Sequence, residues 1–111
     1  MNIRTLLAAA AMMAVPAIAL GQAMDHDMGG QALMQANERM MDAMQSMEPS
    51  GDTDKDFAMM MIDHHKGAID MAKVQLEHGD DPELRALAEK IIADQEKEIS
   101  QMQEWLSRQA Q

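Results

Sequence analysis

The chain has 111 residues, a formal charge of −10, no cysteine and 15 methionines, with Phe57 and Trp105 as its only aromatic residues. That length holds one small domain, and the absence of Cys rules out a disulfide framework. An acidic, aromatic-poor chain also lacks the basic, base-stacking surface that nucleic acids require, whereas it suits cations.

Residues 1–23, MNIRTLLAAAAMMAVPAIALGQA, have the layout of an export signal. Arg4 is followed by an apolar run from Leu6 to Leu20, then by small residues at Gly21 and Ala23. The run is too short for a transmembrane helix, and a single Arg does not mark the twin-Arg route. The expectation is a periplasmic or secreted protein, cleaved near Ala23 or after Gly21, with no membrane span in its mature form. Residues 24–30, MDHDMGG, are expected to form a flexible tail in which His26 stands between Met24 and Met28. If the mature chain starts at Met24, its amine, two backbone amides and the His26 imidazole can wrap Cu(II) or Ni(II) in a square plane. A start at Gln22 makes His26 the fifth residue and abolishes that arrangement.

The helical domain is expected over residues 31–108. Leu33, Ala36, Met40, Met44 and Met47 recur at helical spacing from Gln31 to Met47, and EPSGD then breaks the pattern. A second helix is predicted from Asp54 to His78, with Thr53 and Asp56 as its capping box. Its polar residues Asp63, Lys66, Asp70, Lys73 and Glu77 share one face. The other arc carries two seams, one through Ile62, His65 and Ile69, the other through Phe57, Met61, His64, Ala68 and Met71. Gly79 suits a left-handed helix end, and Asp81 with Pro82 suits the start of a third helix running to Arg108. No β-type alternation appears, so the fold class is all-α. The short turn predicts an antiparallel hairpin of the two long helices. Counting outward from that turn sets His64 opposite Gln95, Met61 opposite Glu98, and Phe57 opposite Met102.

Two adjacent histidines stand where aliphatic residues belong, among methionines. Thioether sulfur is soft and suits Cu(I), and likewise Ag(I), far better than hard ions. It also survives an oxidising compartment better than a thiol does. Met61, His64, His65 and Met71, joined by Met102 from the facing helix, are therefore the candidate metal ligands. Gln95 and Glu98 are placed to hold an imidazole's second nitrogen. The competing reading is plain packing, since methionine fills irregular gaps in helical cores; Met40, Met44 and Met47 are assigned to the core on that ground. His78, at a helix C-terminus, is read as structural. No nucleophile–base pair, phosphate loop or Glu-x-x-His di-iron motif is present, so the chain is not expected to be an enzyme.

The stretches DFAMMMIDHHKGAIDMAK and AEKIIADQEKEISQMQEWL resemble the domain of unknown function 305 family, over about residues 56–106. The motif runs through Phe57, Met60-Met61, His64-His65, Gly67-Ala68 and Met71-Ala72, then Gln95, Glu98-Ile99, Met102 and Trp105. Family members often carry Pro where this chain has Asp63. The resemblance implies a ferritin-like helical bundle and a periplasmic copper-binding or copper-resistance role of the CopM type. Such bundles have four helices and the mature chain offers three, so either a homodimer or an open three-helix arrangement is implied. The expected function is sequestration or carriage of copper, with a copper-transfer partner protein for a carrier. The alternative is a helical interaction module that grips a partner protein with a Met-rich surface.

Overall fold

Two aspartates decide where the long helices begin. The computed structural model describes the backbone of residues 17–111 and the side chains of residues 28–111. In α2 (Thr53–His78) the N-cap is Asp52, whose carboxylate accepts the backbone N–H groups of Asp54 at 3.0 Å and Lys55 at 3.3 Å. These are donors that a helix start leaves without partners. The cap is thus one residue earlier than the predicted Thr53, because a carboxylate was available there. Asp56 reaches back instead to the Ser50 N–H at 2.8 Å, across the turn that Gly51 makes at φ +90°.

The Ser50 backbone N–H, with a smaller contribution from the Ser50 side chain, holds the Asp56 carboxyl below the usual carboxylate range. A carboxyl depressed in the fold adds stability above its unfolded pKa, near 4, and loses it as pH falls through the lower folded value. The melting-temperature difference between the parent protein and Asp56→Ala is therefore expected to be flat above about pH 5 and to shrink below about pH 4. A pH series of thermal melts on both proteins checks it.

Asp81 caps α3 (Pro82–Gln109) by accepting the Leu84 N–H at 2.9 Å, with Pro82 in the first turn as predicted. Gly79 departs from expectation. It is extended, at φ −85° and ψ 148°, and not left-handed. The carbonyls at the end of α2 are satisfied by Arg85, which donates from Nη1 to Leu76 at 2.6 Å and to Gly79 at 2.9 Å. A side chain from the next helix therefore replaces the expected glycine reversal.

The first helix, α1, spans Ala17–Gln45 and so begins earlier than Gln31. The segment expected as a flexible tail, 24–30, is helical. Glycine in a helix costs about 1 kcal/mol relative to alanine, and packing offsets it here. Gly29 is buried, and a Cβ there would lie 2.9 Å from the Cβ of His78.

α2 is the middle helix. It packs against α1 on one side and α3 on the other, while among the described residues α1 and α3 do not touch. The described residues form three helices and no strand, the all-α bundle that was expected, in an open arrangement. The α2–α3 seam is closed by Ile62, Ile69 and Ile99, with Ile92, Met102 and Leu106 against them. The α1–α2 seam depends on Gly67, over which the Met40 side chain lies. Among the described residues the other buried apolar residues are alanines, and no large side chain is fully buried. Among the described residues no helix is long and apolar enough to cross a membrane.

Candidate metal centre

Adjacent positions on a helix point about 100° apart, so the two histidines cannot share one environment. His65 turns toward α3 and keeps a side chain only 13% exposed. His64 projects to solvent, with ring centroids 6.0 Å apart and planes at 63°. The His65 Nε2 lies 2.5 Å from Glu98 Oε2. An ionised carboxylate only accepts, so Nε2 donates, and a neutral ring then presents a lone pair at Nδ1. That Nδ1 is buried without a hydrogen-bond partner, as is Gln95 Oε1 on the facing helix.

A buried polar atom left unpaired costs about 1–3 kcal/mol. The cost is recovered if something binds there. Metal-ligating histidines characteristically give their other ring N–H to a carboxylate, which fixes ring orientation and raises ligand basicity. Glu98 makes a contact of that kind with His65. Gln95 makes no such bond through its oxygen.

Glu98 meets His65, where the count outward from the turn set it opposite Met61. A groove lined by Phe57, Ala58, Met102 and Trp105 keeps Met102 beside Phe57, as that count placed it.

The predicted ligands are thus divided. Met61 and Met102 are half-buried on facing helices, one turn from His65 and Glu98, and Met102 also packs on the isoleucine core. Met71 lies six residues beyond His65, about 9 Å along the axis. It lines a different groove, with Leu84, Leu87 and Ile91, that shares no residue with the first. The side chains of Met24 and His26 fall outside the described residues, and Met28 is 58% exposed. Among the described residues no three His, Asp or Glu side chains are grouped to hold a metal. A site at His65 would therefore have to draw on thioethers.

Met40 covers Gly67 so closely that a Cβ at Gly67 would lie 2.7 Å from the Met40 Cβ.

A family model described as domain of unknown function (DUF305) matches residues 2–106, well beyond the half of the chain that carries the motif resemblance. No curated protein matches the chain.

Proposed function

We propose that this chain, which belongs to the domain of unknown function (DUF305) family, is an exported copper-binding protein of the CopM type. It sequesters or carries Cu(I), with Ag(I) as the chemically related alternative cargo. The observation that carries the reading is His65, whose outer nitrogen is held by Glu98 while its inner nitrogen is buried and unpaired. Met61, one turn before His65 on α2, and Met102, one turn after Glu98 on α3, are the candidate thioethers, and their softness selects a monovalent coinage metal over Zn, Mg or Ca. The complete lack of Cys, the 15 methionines and the acidic charge suit metal handling in an oxidising compartment. Residues 1–23 supply the export signal. The role is binding, not catalysis, and a carrier would hand copper to a receiving protein.

Cu(I) titration against a competing chelator tests the site. Glu98→Gln is expected to weaken affinity about 10–100-fold, the usual cost of losing a ligand's carboxylate support. The His64→Ala/His65→Ala double variant should lose the high-affinity ion altogether. Unchanged stoichiometry and affinity in that double variant would remove the site. Cu(I) or Ag(I) should also raise the melting temperature by mass action on the folded state. A protein-interaction module would show no such rise.

A further inference from the structure

The partners of α2 lie on opposite sides of it. Gly67, Val74 and His78 serve the α1 side, while Ala58, Ile62, His65 and Ile69 serve the α3 side. At about 100° per residue these two sets are roughly 180° apart. The three helices therefore form one flat layer with two free faces, and those faces differ in chemistry. One carries Lys66, Asp70, Lys73 and Glu77. The other carries Phe57, Met61, His64 and Met71 from α2, beside Leu84, Leu87, Glu98 and Trp105 from α3, and is apolar apart from His64 and Glu98 in its middle. Phe57 is 63% exposed, Leu84 51% and Leu87 50%.

A single layer of amphipathic helices has nothing to bury its apolar face against, and stable domains use two layers. We propose that the second layer is another copy of this chain, stacked face to face on the apolar side of α2 and α3. Its size fits. At 26 residues α2 is about 39 Å long, and two helix widths give about 20 Å. That footprint is roughly 800 Å² per copy, the standard contribution to a stable interface. Its relief is self-complementary, because the groove floor is Ala68, Ala72 and Ala88 while its rim is Leu84 and Leu87. Leucines of one copy can enter the alanine floor of the other, as a two-fold contact requires.

Sedimentation equilibrium on metal-free protein tests the dimer independently of the copper reading. A dimer is expected at about 100 µM, a concentration well above the dissociation constants usual for interfaces of this size. Leu87→Glu should yield monomer, and Lys73→Glu on the polar face should not. A second measurement covers the case in which Leu87→Glu fails to fold. A single thiol introduced by Ala68→Cys should react slowly with maleimide at high protein concentration and faster on dilution. A parent protein that sediments as monomer, or a thiol whose rate ignores concentration, overturns the proposal.

Discussion

Ile99→Ala is expected to destabilise the protein by about 2–5 kcal/mol, the range for truncating a buried isoleucine to alanine. The effect should sit at the upper part of that range in consequence, if not in number, because so little else is buried. Among the described residues Ile62, Ile69 and Ile99 are the only buried side chains larger than alanine, and all three lie on the α2–α3 seam. Small domains have total stabilities of about 5–15 kcal/mol. Each kcal/mol lost moves the midpoint of a 60–100-residue domain by about 4–8 °C. Thermal melts of Ile99→Ala at fixed protein concentration check this, and a shift under about 5 °C would show that the three isoleucines are not the principal core. Holding concentration constant matters, because self-association contributes to apparent stability by mass action.

Gly67→Ala should cost about 1–3 kcal/mol through overpacking, although alanine is the better helix former by about 1 kcal/mol. The sign follows from what the new methyl would meet. It would lie 2.5 Å from Met40 Cγ and 2.7 Å from Met40 Cβ, besides colliding with the sulfur. A thioether can swing aside, but Cβ is fixed to the backbone, so α1 must move away from α2. The double variant Gly67→Ala/Met40→Ala should recover most of the loss, since the collision is then gone. Urea denaturation of the two variants measures the coupling directly. A stabilised Gly67→Ala single variant would mean that α1 does not sit against α2 as described. The same lesion should leave the His65–Glu98 pair in place, because that pair lies on the opposite side of α2.

The helices and their order were legible because period, breaks and caps are local properties. The apolar spacing of α2 and α3, the EPSGD break and the Asp81-Pro82 start each act within a few residues. The cap of α2 was read one residue late because Asp52 and Thr53 both suit the position, and the carboxylate won. The start of α1 was misread because Gly29-Gly30 looks like a break. Only the contact with His78 makes glycine the fitting residue there. Within the candidate centre, the His and Met side chains were legible as candidates and their grouping was not. That Glu98 meets an imidazole was legible, and only the fold shows that the imidazole is His65.

By itself the amino-acid sequence determined three helices, their faces, the soft and acidic donor set, and an adjacent histidine pair inside an apolar arc. Tertiary structure decided that His65 is enclosed and His64 is exposed, that His65 is the imidazole Glu98 meets, and that α1 and α3 lie on opposite sides of α2. The physical reason is range. Propensity and capping are settled by neighbours in the chain, whereas register and layer order depend on an extended Gly79, a bare Gly67 and the side chains that arrive there from other helices.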